Sequence, residues 1–592
     1  MAMAVATKVH DPEEYIRSLK EKQYRSLGTE MERQTREQGE KTALIFEDRV
    51  ISYRELNAQA NRYANYFAGL GFKAGDVVAL LMENRPEYLI AGGGLSKLGV
   101  IVSLINNGVR GDALAHAINI CGAGAVIVGN ELLDVLLAVK DDLHLNSPAL
   151  FLVENEGQPI EAPPGFYDTY ACLAEAEDIN PATTRQVSTD DVIVYIYTSG
   201  TTGFPKACAV TQRRWLLLAN IYIQFGKMTA DTVHYLALPL YHNSGFNAAY
   251  AALLVYGNTM VLRRRFSASA FWDDVRRYHI SAFIYVGEMC RYIFNQPQKS
   301  DDADNPLCSM LGNGLRGDLM EPFRQRFGLE SIIEVYGATE GVGLMVNLEE
   351  IPGMCGNLVV NGLRQGEIVK WDFEKEEMIR GENNHAVKCD PGEMGLLVCE
   401  INALNSFAGY VNNPAATEAK MLRNLLAEGD QYFNSGDLVQ LHECDYFSFI
   451  DRLGDNYRWK SENVSTNQVS NAINKFSHIE DANVYGVRVP GMEGRCGMAA
   501  LKMMEGEDID WEDFSAFIIK ELPVYARPYF IRLRPVLDAN NSFKQIKQNL
   551  QKEGFDPAAI ADPLYFLHPE QNRYIPLTGA VYRDIVEQRF RF

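Results

Sequence analysis

The chain has no C-x-x-C pair, no internal repeat, no low-complexity tract and no uninterrupted apolar run of membrane-spanning length. Each absence removes a class of protein. The ten cysteines (Cys121, Cys172, Cys208, Cys290, Cys308, Cys355, Cys389, Cys399, Cys444, Cys496) are scattered, which excludes a zinc cage or a disulfide framework and suits a reducing compartment. The most apolar stretch, Tyr88 to Ile105, is broken by Lys97 and three consecutive glycines. It reads as buried helix, turn and strand, not a span of ~20 apolar residues. Positive charge is scarce as well: 56 Lys and Arg face 77 Asp and Glu, a formal net charge of −21. A chain this acidic lacks the broad positive field of a nucleic-acid binder, and general attraction to anionic lipid is disfavoured. A polyanionic ligand would have to be met by a few specifically placed cations. The opening segment, MAMAVATKVHDPEEYIRSLKEK, turns charged before any apolar core of signal-peptide length, so a soluble cytoplasmic chain is expected.

What is present is an ordinary globular composition, 47% apolar and 22% charged over 592 residues. At ~150 residues per domain the length suggests about four units, which large α/β enzymes often merge. Residues 1 to about 40 look like polar helix, and TALIFEDRVISYREL predicts a hairpin around Glu47-Asp48-Arg49. Helical periodicity over Leu56–Leu70 is followed by the strand Val77–Leu81, a helix over Arg85–Leu98, and apolar runs at Val100–Ile105 and Ala125–Val128. The alternation resumes at 192–197, 234–240, 259–262 and 282–286. Strands alternating with helices imply βαβ units and a covered, largely parallel sheet. From about 353 the texture becomes glycine-punctuated and β-rich, and it changes again near Asp451–Asp455. The expected fold is α/β: a large N-terminal domain of stacked α/β sheets over 1–451, with a small β-barrel-like subdomain over 353–451. A hinge at 452–455 would lead to a small mobile α+β domain over 456–592.

The sharpest local signal is Tyr197-Thr198-Ser199-Gly200-Thr201-Thr202-Gly203-Phe204-Pro205-Lys206, directly after an apolar strand. Its glycines let backbone approach a phosphate, its four hydroxyls and N–H groups can donate to the oxygens, and Lys206 supplies charge. The usual NTPase P-loop is excluded, because no Gly-Lys-Ser/Thr ends the loop.

These ten residues resemble the signature loop of the adenylate-forming superfamily of acyl-CoA synthetases, peptide-synthetase adenylation domains and luciferases. Other segments follow in the superfamily's order. Leu238-Pro239-Leu240-Tyr241-His242 is similar to its second stretch, and Gly312-Asn313-Gly314-Leu315-Arg316 to its adenine-side turn. Glu334-Val335-Tyr336-Gly337-Ala338-Thr339-Glu340 resembles the segment that stacks adenine and holds magnesium. Ser435-Gly436-Asp437 with Asp451-Arg452 resembles the ribose-binding pair. Within the superfamily, Glu83-Asn84-Arg85-Pro86-Glu87, Phe271-Trp272-Asp273-Asp274, Glu462-Asn463-Val464 and Tyr525-Ala526-Arg527-Pro528 resemble the fatty-acid transport protein and very-long-chain acyl-CoA synthetase family. Eukaryotic members of that family carry an N-terminal anchor, so this chain is expected to be more like the soluble or peripheral versions.

The resemblance implies ATP, Mg²⁺ and coenzyme A as cofactors and a fatty acid as substrate. Thr198, Ser199, Gly200, Thr201, Thr202, Gly203 and Lys206 would cradle the β- and γ-phosphates. Gly312, Asn313, Gly314, Tyr336, Gly337 and Ala338 would hold adenine, with Tyr336 stacking on it. Asp437 would accept the ribose hydroxyls, assisted by Arg452. Glu340 would bind the metal, Thr339 the α-phosphate, and His242 would stand beside the acyl substrate. Lys544 aligns with the family's catalytic lysine, although the residues before Phe543 are Asn-Asn-Ser where the family has Thr-Gly-Thr. Lys460, Ser461 and Glu462 would line the CoA tunnel, and Ser461 stands where the family carries glycine. Taken singly, Tyr336 would more often be a core tyrosine, Glu340 a solvated helix-start acid and Asp437 a turn residue; the shared order of the motifs favours the functional reading of each.

Two features stay open at this level. Residues Ile284 to Phe294 suit an acyl tunnel or a plain core helix, and Arg263-Arg264-Arg265 is either a solvated strand end or a contact for CoA phosphate or anionic lipid. The expectation is an AMP-forming fatty acid–CoA ligase. Its rivals are a ligase for another carboxylate (a bile acid or aryl acid) or for a carrier thiol, and a non-catalytic fatty-acid uptake protein. A homodimer and peripheral membrane contact stay open, and no nucleic acid is expected.

Overall fold

The structure is a computed structural model that describes residues 25–198, 204–373, 375–402, 405–453, 456–459, 462–492, 494–539 and 545–590. The chain divides into two compact units. The first runs to Gly366 and takes in Cys399–Asn434 and Cys444–Tyr446; the second holds Glu367–Val398, Ser435–Glu443 and the chain from Phe447 onward.

The first unit is built on parallel sheets. In a seven-stranded sheet the order is Tyr167–Asp168, Leu150–Glu154, Ala125–Gly129, Val77–Leu81, Ile101–Leu104, Val192–Thr198, Lys206–Thr211. All neighbours are parallel except the last pair, which is a hairpin. Every residue of Val77–Leu81 and Ala125–Gly129 is buried, which is why those strands read as continuous apolar runs. The helix Tyr53–Gly69 starts at a capping box, Ser52 with Glu55, and the next helix, Pro86–Lys97, has proline in its first turn. That second helix is buried along its whole length and turns into the strand Ile101–Leu104, as the apolar stretch 88–105 predicts.

In the second sheet the order is Arg49–Ser52, Thr42–Phe46, Thr259–Leu262, Val233–Leu236, Ala282–Val286, Ser309–Asn313, Ser331–Gly337, Leu344–Asn347. It is parallel from Thr42–Phe46 to Ser331–Gly337. The strand expected over 234–240 ends at Leu236. Pro239 has no N–H for a ladder, and a turn follows in which the His242 N–H donates to the Pro239 carbonyl at 3.1 Å.

A β-rich region, most of it in the second unit, has the order Tyr446–Arg452, Gln431–Leu441, Met394–Glu400, Gly366–Asp372, Glu377–Met378, and none of its described pairings closes a barrel. Toward the C-terminus a five-stranded mixed sheet, Ile479–Val487, Cys496–Met503, Phe530–Leu533, Leu564–His568 and Arg573–Pro576, shares a core with the helices Thr466–Ile473 and Trp511–Glu521. This is the α+β segment expected there. No helix among the described residues is long and apolar enough to cross a membrane.

Candidate active site

Parallel strands deliver their C-terminal ends to one edge of a sheet, and ligands of open α/β sheets meet the chain there. The strands Val233–Leu236, Ala282–Val286, Ser309–Asn313 and Ser331–Gly337 are such a set, and His242, Gly312–Gly314 and Tyr336–Glu340 lie at or just beyond three of their ends. Gly312 and Asn313 close one strand, and a Cβ at Gly312 would stand 2.1 Å from the Tyr285 carbonyl oxygen, so only glycine allows these backbones to meet. Tyr336 is half-buried near the end of the next strand.

Glu334 is two residues before Tyr336 and therefore on the same strand face. Its carboxylate accepts the N–H groups of Gly314 at 2.8 Å and Leu315 at 3.1 Å, together with the Tyr285 hydroxyl. Burial drives its pKa up to about 7, against those three hydrogen bonds. The strand that presents Tyr336 is thus tied by one buried acid to the turn after Gly312.

Ala338, Thr339 and Glu340 form the turn beyond this strand. Arg214, at the start of the helix Gln212–Gln224, donates to the Thr339 carbonyl at 2.6 Å and the Ala338 carbonyl at 3.3 Å. Gly341 follows with φ +83°, and a Cβ there would lie 1.8 Å from the Arg214 guanidinium carbon. The guanidinium therefore lies flat under the turn, in space that a side chain would fill. The Glu340 carboxylate accepts the Tyr410 hydroxyl at 2.6 Å, and the Lys206 ammonium stands 5.4 Å from the centre of the Tyr410 ring.

The hairpin that bounds the phosphate-type loop sets Thr198 opposite Lys206. Its base is fixed by Tyr197, which is buried and donates to the Ala117 carbonyl at 2.5 Å. Phe204 stacks on His116 at 4.8 Å. Ser199, Gly200, Thr201, Thr202 and Gly203 lie outside the described residues. His242 leads into a wide π-type turn, Asn243–Ala249, with its ring 4.5 Å from that of Tyr241. Asn84 supports that segment: its amide donates to the Leu238 carbonyl at 2.9 Å and its oxygen accepts the Leu240 N–H at 2.8 Å.

In the second unit, Asp437 and Arg452 face each other across an antiparallel pair, with Nε 3.3 Å from Oδ1. Asp437 is buried, and its N–H donates to the Ser435 hydroxyl oxygen at 3.0 Å. Glu462 opens the strand Glu462–Val464, opposite Trp459. Lys460, Ser461 and Lys544 lie outside the described residues.

Each arginine of the 263–265 run has an acidic partner: Arg263 pairs with Asp274 at 3.0 Å, Arg264 with Glu156 at 2.9 Å and Arg265 with Glu83 at 2.5 Å. Within Ile284–Phe294 the first three residues end the strand Ala282–Val286 and the rest form the helix Gly287–Phe294; Ile284, Tyr285, Met289, Cys290 and Ile293 are buried.

Four site residues escaped the sequence reading: Asn84, Arg214, Glu334 and Tyr410. Asn84 and Glu334 sit inside quoted motifs, and alternation along the strand would have put Glu334 beside Tyr336. Arg214 follows Lys206 in the same hairpin and helix start. Tyr410 has no local signal that connects it with the loop.

A model of the family described as AMP-binding enzyme matches residues 31–372. The chain is 36% identical over 560 residues to mouse long-chain fatty acid transport protein 6, covering 94% of this chain and 90% of that protein. It is 34% identical over 552 residues to the medium/long-chain-fatty-acid–CoA ligase FadD6 of Mycobacterium tuberculosis (strain ATCC 25618 / H37Rv), covering 93% and 89% of the two. The crystal structure of the anthranilate CoA ligase AuaEII in complex with anthranoyl-AMP superposes with a TM-score of 0.76 at 19% identity, over 90% of this chain and 97% of that one. At that identity the likeness speaks for the fold.

Proposed function

The chain belongs to the family of AMP-binding enzymes, and on that premise we propose that it is an ATP-dependent fatty acid–CoA ligase working through an acyl-adenylate. A carboxylate is a poor electrophile, because attack on it must expel an oxide. When its oxygen attacks the α-phosphorus of ATP, pyrophosphate leaves and the acyl group gains AMP as leaving group. The CoA thiol then attacks the acyl carbon and expels AMP. Binding ATP beside a carboxylate gathers about five negative charges, which the site must offset.

The observation that carries this reading is the convergence of Lys206, Arg214, Tyr410 and Glu340 beyond a parallel sheet edge. Thr198 and Lys206, with the loop between them, take the β- and γ-phosphates. Thr339 takes the α-phosphate, Tyr336 stacks adenine between Gly337–Ala338 and Gly312–Gly314, and Asp437 with Arg452 takes the ribose. His242 stands beside the acyl group. Glu340 fits Mg²⁺: it is a hard oxygen donor, and among the described residues no cluster of three or more His, Cys, Asp or Glu offers a protein cage. An ion held by one carboxylate and the substrate phosphates is the usual magnesium arrangement, and it neutralises phosphate charge. Lys544 places a cation between carboxylate and α-phosphate. The C-terminal part beyond residues 452–455 moves between the two half-reactions, bringing Lys460, Ser461 and Glu462 to the pantetheine path. We place the work in the cytoplasm or on a membrane surface.

The test is ATP–pyrophosphate exchange screened over carboxylates, followed by detection of the CoA thioester. Exchange with long-chain fatty acids is expected; exchange confined to aryl or bile acids changes the substrate, and none with any acid favours fatty-acid uptake without turnover. Lys544→Ala should abolish acid-dependent pyrophosphate release while sparing thioester formation from supplied acyl-AMP.

A further inference from the structure

The geometry points to Tyr410 as a positioning residue that holds both the metal-side carboxylate and the loop lysine of the nucleotide site: its hydroxyl orients Glu340 and its ring face seats Lys206. This rests on the nucleotide reading above and adds to it a residue from outside every motif that reading uses.

Tyr410 is brought to the site by backbone, not by the phenol. It bridges antiparallel to Cys208, two residues beyond Lys206 in the same strand, and the Val411 N–H donates to the Ala207 carbonyl at 2.9 Å. On its other side the Tyr410 N–H donates to the Thr417 hydroxyl oxygen at 2.9 Å, and Phe407 meets the ring edge-on at 5.7 Å. The backbone fixes where the ring begins, and from there its face meets Lys206 and its hydroxyl meets Glu340.

Each contact has its own chemistry. A phenol that donates to a carboxylate makes a charge-assisted hydrogen bond, stronger than a neutral one and directional. A phenol is neutral at working pH and so keeps the proton it donates. Occupying one lobe of Oε1 leaves Oε2 and the second lobe for another ligand. The ammonium at 5.4 Å lies within the range in which an aromatic face attracts a cation without neutralising it. A carboxylate in place of Tyr410 would pair with Lys206 and cancel the charge a phosphate needs; the ring does not.

The two functions separate by substitution. Tyr410→Phe removes the hydroxyl and keeps the ring; Tyr410→Leu removes both. The measurement is equilibrium binding of ATP to the full chain, with and without Mg²⁺, alongside thermal unfolding. Tyr410→Phe is expected to weaken binding about tenfold with Mg²⁺ and to leave metal-free binding unchanged. Tyr410→Leu is expected to add a loss of about threefold in both conditions. In a Glu340→Gln background Tyr410→Phe should cost nothing further. An equal loss with and without Mg²⁺, full additivity with Glu340→Gln, or no loss in Tyr410→Phe would overturn the proposal. Because Glu340→Gln alone should also remove the Mg²⁺ dependence, the metal arm survives even if Tyr410→Leu does not fold. A wild-type chain that binds no ATP in either condition overturns the nucleotide reading and this proposal with it.

Discussion

The seven-stranded sheet of the first unit has cations in two places, and it treats them differently. Beside the seven-stranded sheet, Lys97 has no exposed surface and donates to the side-chain oxygens of Asn57, Asn61 and Asn180, with Glu32 at 3.4 Å. Arg85 is equally buried, paired with Glu131 and with Glu154 at 3.5 Å. Burial pulls Lys97 down to about 8 and pushes Glu154 up to about 7. On the sheet's edge strand Lys206–Thr211 and the helix that follows, Lys206 sits against a ring face and Arg214 against carbonyls, and the Glu340 carboxylate is held by a phenol. The first arrangement saturates its cations with oxygens and positions the chain. The second keeps its cations away from direct carboxylate neutralisation, which is what an anionic ligand requires.

That contrast can be broken from either side. Lys97→Ala strips the shared donor from Asn57, Asn61 and Asn180, the first two of them buried, and a loss of about 3–5 kcal/mol in stability is expected, read by urea unfolding. The folded fraction should retain its specific activity; a selective loss of catalysis would move Lys97 into the site. Glu340→Gln should do the opposite, lowering acid-dependent pyrophosphate exchange by about 10²–10³-fold with an unchanged melting temperature. Arg214→Lys keeps the charge but loses the planar fork under Ala338 and Thr339. A fall of about 10- to 100-fold in kcat/KM for ATP is expected, and wild-type kinetics would show that charge alone suffices.

The smallest effect expected concerns pH. Glu334 has a folded pKa of about 7, above its unfolded value, so the fold favours the protonated acid. Its contribution to stability is complete below the unfolded pKa and is lost as pH rises through about 7. Tyr285 faces it from two strands away, and Cys290 from the helix Gly287–Phe294; burial raises the pKa of both, so each stays neutral in this range. Glu334→Gln mimics the protonated form. Between about pH 5 and 8 the wild type should lose on the order of 2 kcal/mol relative to this variant, measured by denaturant unfolding. Parallel profiles would mean that the acid does not titrate in this window.

Much of the fold was legible because parallel sheets write themselves into the chain as short apolar runs. Val77–Leu81, Thr259–Leu262 and Ala282–Val286 appear where the pattern puts them. The strand expected through Leu240 stops at Leu236, since an apolar run does not announce the ladder hydrogen bond that a proline cannot make. Arg263-Arg264-Arg265 stands in one dimension as a basic cluster with two readings open, and its carboxylate partners come from 83, 156 and 274.

The sequence by itself determined the chemistry. A phosphate loop needs glycines and hydroxyls in one contiguous stretch, and the motifs that follow it keep an order that chance does not supply. Tertiary structure alone decided what holds those motifs in place. Arg214 under Thr339, Glu334 across to Gly314 and Tyr410 over Glu340 join segments 20 to 125 residues apart, through single side chains. Such contacts depend on where strands end in space, and that is fixed by sheet order and packing, which leave no periodic trace along the chain.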